Sequence, residues 1–251
     1  PSATGVVPGC AAPPPAGDKE AQAEWSQTND PGEPTNRNIF AFNKGIDDNA
    51  LEPMAEGYRN YVPGNFRTNI RNVLTNLGEP VTAVNDLLQG EFLRAASAMG
   101  RFCVNSTFGF LGMGDVAGGG GLEHHSEDFG QTLAVWGVGE GPYVVLPILG
   151  PSNPRDAVGF VVDRFMDPVS WIMPAAPLAA DVAKGTVEAV DKREKYIDPL
   201  NEVQRTSLDY YASLRSLYRQ KRADDIRNGK KGPTMPASGL VFEETSGQKA
   251  R

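Results

Sequence analysis

Residues 66–90 read FRTNIRNVLTNLGEPVTAVNDLLQG. Phe66, Ile70, Val73, Leu74 and Leu77 recur at the spacing of one face of an amphipathic helix. Gly78 and Pro80 are expected to stop that helix. Val81, Val84, Leu87 and Leu88 then carry a second short helix as far as Gly90. Nothing in the stretch alternates with a period of two, so its reading is helical.

The same pattern extends in both directions. Upstream, Thr35 is expected to cap a first helix carrying Ile39, Phe40 and Phe42, and Pro53 to open another that ends near Val62 and Pro63. Downstream, EFLRAASAMGRFCVNSTFGFLG (91–112) is a helix of small and apolar residues that dissolves into glycines. Asn153, Pro154 and Asp156 mark a further helix start, continued by Val158, Val161, Val162, Phe165 and Val169. The sequence PVSWIMPAAP breaks it. Two more helices are expected over 178–197 and 207–227, the second capped by Ser207, with Asp209 in its first turn and Arg215, Arg219, Lys221 and Arg222 toward its end. No convincing strand run and no internal repeat appears. The fold class is therefore all-α, with a helical domain over 35–227 between a flexible tether (1–34) and a flexible tail (228–251) of similar Pro/Gly-rich, charged composition.

A chain of 251 residues can bury a sizeable core, and its 28 Gly and 20 Pro point to short elements with many turns. A formal charge of −7 argues against nucleic acid as a partner, because phosphate contacts need a basic footprint. No stretch approaches the ~20 apolar residues of a spanning helix. Residues 129–159, FGQTLAVWGVGEGPYVVLPILGPSNPRDAVG, are nonetheless apolar, interrupted by Gly and Pro, and too short to span. Of the two cysteines, Cys103 lies on an apolar helical face, where a small buried hydrophobe is expected. Cys10, in VVPGCAAPPPAG, follows aliphatic and small residues and precedes an Ala/Pro tether, which is part of a lipidation motif.

Motifs for chemistry are sparse. His124 and His125 stand beside Glu123, Glu127 and Asp128, but adjacent histidines project apart and no HExxH completes a metal site, so a solvated loop is expected. The glycines at 118–121 lack the Lys-Ser/Thr of a phosphate loop, and there is no Gly-x-Ser-x-Gly elbow. Neither catalysis nor a cofactor is expected. Lys184, on the helix after the Pro-broken segment, reads by default as a surface lysine.

Several blocks of this chain, in order, resemble the MlaA (VacJ) lipoproteins of the Gram-negative outer membrane. They are DPGEPTNRNIFAFNKGIDDNALEPMAEGYRNYVP, NVLTNLGEPVTAVNDLLQGEF, GRFCVNSTFGFLGMGDVAG, DFGQTLAVWGVGEGPYVVLPILGPSNPRDAVG, DPVSW and SLDYYASLRSLYRQKR, covering about Asp30 to Asn228. Cys10 falls where the family carries its lipidated cysteine. Two departures are Pro8, where a lipobox usually has a small residue, and Thr35, where the family commonly has an aromatic.

The resemblance implies a ring-shaped, doughnut-like assembly of short amphipathic helices with a central channel. It implies a lipoprotein lodged in the periplasmic side of the outer membrane that clears misplaced phospholipid from the outer leaflet. The implied partners are an outer-membrane porin trimer, a periplasmic lipid-carrier protein and, through it, an inner-membrane ABC transporter. The helix bearing Phe40, Phe42 and Asn43 would border the channel, with the two aromatics as anchors, and Lys184 would meet lipid phosphate. Trp136, Gly137, Gly139, Pro142 and Pro147 would bend membrane-embedded chain around the pore. Two other functions are carried alongside: a structural lipoprotein that clamps a porin without moving lipid, and an esterase acting on the same lipids.

Overall fold

The computed structural model describes residues 28–168 and 177–228. Cys10, Val169 and Trp171 lie outside them. Helix α1 (Glu33–Ile46) starts on Gly32, three residues before the expected cap, because Pro34 occupies the first turn, where its missing N–H costs nothing. A π-helical turn over Asp47–Leu51 leads into α2 (Glu52–Tyr61), which carries Pro53 in its first turn and ends on extended Val62, before Pro63.

Helix α3 (Gly64–Gln89) runs unbroken through Gly78 and Pro80 to left-handed Gly90, against the expectation of two helices. An interior proline costs about 3 kcal/mol. Here α3 packs along α4 (Phe92–Thr107), and the turn before the proline is fixed from outside: Glu79, fully buried, accepts from Arg101 Nε of α4 at 2.7 Å. A short α5 (Val116–Gly119) and an irregular strap lead to α6 (Phe129–Val135), capped by the Asp128 side chain. The greasy stretch then makes a small antiparallel hairpin, β1 (Val144–Leu146) and β2 (Gly150–Ser152), with Val145 opposite Pro151. Three-residue strands are too short for period-two patterning to announce them. Helix α7 (Pro154–Met166) starts as read, with Asn153 Oδ1 accepting from Asp156 N at 2.9 Å.

Helices α8 (Pro177–Lys195), α9 (Ile197–Thr206) and α10 (Tyr210–Arg227) follow. The sequence reading had no separate α9, and α10 is capped by Asp209, whose side chain accepts from Ala212 N, rather than by Ser207. The helices close a circuit: α3 packs on α6, α6 on α10, α10 on α9, α9 on α8, and α8 back on α3. A second path from α10 through the hairpin, α1 and α2 also reaches α8. The result is a helical ring. Among the described residues, the hydrophobic core cluster lies where α1, the hairpin and α10 meet, around Tyr143, Val145 and Tyr211, with Ile39, Phe40 and Tyr218 packed against them.

Candidate functional site

Polarity in this ring is inverted over one sector. On α4 the buried positions are Ala95, Ala98, Arg101 and Asn105, while Phe92, Leu93 and Met99 are exposed. On the second half of α3, Thr82, Asn85 and Asp86 are buried and Val84, Leu87 and Leu88 exposed. Helix α7 buries Arg155 and Gly159 and exposes Val158, Phe160, Val161 and Phe165. Helix α9 is ordinary: Ile197 and Val203 are buried, and charged residues face out. A water-soluble monomer rarely shows so large an apolar face, which marks contact with lipid or another protein. Among the described residues no helix is long and apolar enough to cross a membrane.

The interior is held by polar bonds because its faces are polar. Arg71 of α3 bonds Asp191 Oδ2 of α8 at 2.9 Å and Glu194 Oε2 at 3.2 Å, and Arg67 also reaches Glu194. Arg222 of α10 grips the α6 cap Asp128 through two bonds of 2.5 and 2.7 Å. Thr132 of α6 donates to Asn85 Oδ1 at 2.8 Å, and the Asn85 amide donates to Asp163 Oδ1 of α7 at 3.0 Å. Burial pushes the Asp163 carboxyl up to about 6, against the Phe129 N–H and the Asn85 amide that favour its charge. Helices α6 and α7 touch through glycine: a Cβ on Gly159 would stand 2.4 Å from Gly130 N.

A second device joins α1 to the hairpin. Asn36 and Asn43, two helical turns apart, each clasp the backbone with both amide atoms. Asn36 donates to Tyr143 O at 3.0 Å and accepts from Val145 N at 3.0 Å. Asn43 donates to Leu146 O at 2.9 Å and accepts from Ile148 N at 2.7 Å. The exposed Ile148 takes a left-handed φ of 67°, costly for a β-branched residue, at the point where Asn43 holds it. Asn36 was not singled out from the sequence. Its signal was the heptad spacing of two asparagines in NRNIFAFN.

The sequence-selected residues fall out as follows. Phe40 anchors α1, packed against Tyr210 and Tyr211 with centroids 5.7 and 5.4 Å away, whereas Phe42 is 55% exposed. Trp136 ends α6, donates from Nε1 to Leu88 O at 3.0 Å and meets Phe129 edge-on at 5.8 Å. Gly137 takes a φ of 89° in open space, and Gly139 has open space around it and no such backbone demand. Pro142 precedes the hairpin and Pro147 lies in its turn, so the bends belong to a turn and hairpin rather than to a kinked helix. Lys184 is no free surface lysine: Nζ pairs with Asp167, which Arg164 approaches at 3.7 Å. Cys103 is exposed rather than buried, because the apolar face of α4 is the outer one. The histidine loop is not simply solvated: each imidazole reaches a buried carboxylate of α3.

Comparison with known proteins agrees with this architecture. The family model described as MlaA lipoprotein matches residues 28–225. The "Intermembrane phospholipid transport system lipoprotein MlaA" of Haemophilus influenzae is 36% identical over 209 residues, 82% of each chain. The protein of the same description from Escherichia coli is 36% identical over 204 residues, 80% of this chain and 79% of that one. A solved structure described as "Structural basis for maintenance of bacterial outer membrane lipid asymmetry" superposes with a TM-score of 0.71 at 34% identity, covering 78% of this chain and 98% of its own.

Proposed function

This chain belongs to the MlaA lipoprotein family, and from that premise we propose that it withdraws misplaced phospholipid from the outer leaflet of the outer membrane and passes it toward the periplasm. The observation that carries the reading is the inverted sector. Helices α3, α4, α6 and α7 turn apolar side chains outward and polar ones inward, which suits a ring set in lipid around a polar path. The α9 side, charged outward, suits water.

The energetics favour a lined path over free desorption. Pulling a two-chain lipid into water exposes about 30 methylenes at ~0.8 kcal/mol each, on the order of 20 kcal/mol. A ring that keeps tails against apolar surface and gives the headgroup a polar interior removes most of that cost without a nucleotide and without covalent chemistry. Anchoring through a lipid on Cys10, seating against a porin trimer, and hand-over to a periplasmic carrier feeding an inner-membrane ABC transporter complete the scheme. Within it, Lys184 meets lipid phosphate by exchanging its Asp167 partner, so Lys184→Asp slows transfer.

The test is surface phospholipid in cells lacking the protein, complemented by the wild type and by Cys10→Ala. Accumulation cleared only by the wild type supports an anchored conduit. No accumulation, with a porin still co-purifying, replaces it with the clamp, and lyso-lipid formed by purified protein replaces it with an esterase.

A further inference from the structure

Residues 122–128 cross the α3–α4 hairpin as an irregular strap between α5 and α6. Two adjacent histidines fasten it. His124 Nδ1 lies 3.2 Å from Glu79 Oε1, and His125 Nε2 lies 2.8 Å from Asp86 Oδ2. Glu79 and Asp86 stand two turns apart on α3, and both side chains are fully buried. Each is also met by an arginine of α4. Arg101 Nε donates to Glu79 at 2.7 Å while its Nη2 reaches Asp115 at 3.0 Å. Arg94 Nε lies 3.4 Å from Asp86 while its Nη2 reaches Glu127 at 2.8 Å.

The two fastenings share one charge pattern: a guanidinium, two carboxylates and an imidazole. The other groups facing them, the amides of Asn105, Gln89 and Asn228 and the Leu122 carbonyl, are neutral. The nearby Asp128 is taken by Arg222, and Glu123 points to solvent. With neutral imidazoles each fastening therefore carries one negative charge in excess, and with imidazolium each is balanced. Glu79 Oε2, buried and without a hydrogen-bond partner, shows that the first fastening has acceptor capacity left over. An uncompensated carboxylate in such a place is costly, whereas one proton on the imidazole removes the imbalance.

We propose that His124 and His125 are a proton-dependent latch, holding the strap on α3 when protonated and releasing it when neutral. The strap ends at Asp128, which caps α6 and ties it to Arg222 of α10, so release loosens the α6–α10 joint of the ring. The sign follows from the charge count. The latch is closed at acidic pH and opens as pH rises. The inference rests on these contacts and not on the lipid-transport reading.

The chain has only two histidines, so both ring signals can be followed by NMR in the full-length protein in detergent and assigned with His124→Gln and His125→Gln. The expected result is that the two ring signals and the strap amides change together over one pH range, with the strap protected on the acidic side. Amide exchange over 122–128, corrected for its intrinsic pH dependence, is expected to be at least tenfold slower at pH 6 than at pH 8.5, and that difference is lost in the double glutamine variant. Ring signals that change over a different pH range from the strap, or equal protection of the strap at both pH values in the wild type, overturn the proposal whether or not the variants fold.

Discussion

Met99 and Arg101 are two residues apart on α4 and face opposite surroundings: the methionine is exposed, and the arginine lies in a buried cluster with Glu79 and Asp115. Arg101→Met leaves Glu79 buried with only the His124 ring against it, a cost of about 3–5 kcal/mol. A melting point lower by roughly 10 °C is expected in detergent. Met99→Ala removes an exposed group and should shift stability by less than about 0.5 kcal/mol. Equal effects would mean that α4 is oriented otherwise. Glycines separate in the same way. Gly137→Leu forces a branched side chain into left-handed backbone at about 1–2 kcal/mol, whereas Gly139→Leu meets no such demand. Clearance assays on the two single variants should therefore differ, with the loss concentrated at 137. Residue roles were the least legible part of the sequence, for one physical reason. Reading an apolar stripe as buried is sound for a water-soluble chain, and here that assumption sent Cys103 inward.

Among the elements, α1 is an ordinary amphipathic helix by pattern, yet what positions the hairpin is its pair of asparagine clasps. Deleting Phe42 and Asn43 removes the second clasp and turns the following residues out of register. If this helix borders the conduit, the deletion should raise surface phospholipid in a dominant manner, measured with wild-type protein also present. A plain recessive loss would assign α1 a structural role only. Helix α7 offers a pH test. Because the folded state raises the Asp163 carboxyl from its ordinary range to about 6, protonation favours folding, and stability falls as pH rises from about 4 through 6. Oδ1 accepts from both Asn85 and Phe129, so an amide keeps these bonds. Asp163→Asn should melt higher than the wild type at pH 7.5 and alike at pH 5; a lower melting point at both would show that the second oxygen matters more than the charge. Element types were legible where caps were explicit, as at Asn153 and Gly90. They were not legible at Pro80, where contacts with α4 override a local breaker, nor in the hairpin, whose strands hold too few residues to show a period.

At the scale of the whole molecule, ring closure had no signature in periodicity and was available only through resemblance. It depends on which helix meets which, and the joints are ion pairs between residues far apart in sequence, such as Arg71 with Asp191 and Arg222 with Asp128. The inverted sector follows from the same geometry. Once the inner faces carry the charges that close the ring, the apolar residues needed to make each helix amphipathic have only the outside to occupy. This makes a prediction that no single contact makes. In a Cys10→Ala background, which removes any covalent anchor, lysine at Val158 and Phe160 puts two charges on the outward face of α7, where no internal partner is lost. Each should oppose residence in lipid by about 2.5–3.5 kcal/mol if it sits near the hydrocarbon centre, and by less toward the interface. The double variant should fold with an unchanged helical signal in detergent, yet shift from the membrane fraction to the soluble fraction on carbonate extraction. The same two charges placed at Ser216 and Ala223, on the polar outer side of α10, should leave fractionation unchanged. If the α7 variant stays in the membrane as firmly as its parent, the outward apolar face is covered by protein rather than lipid, and the porin clamp gains what the embedded ring loses.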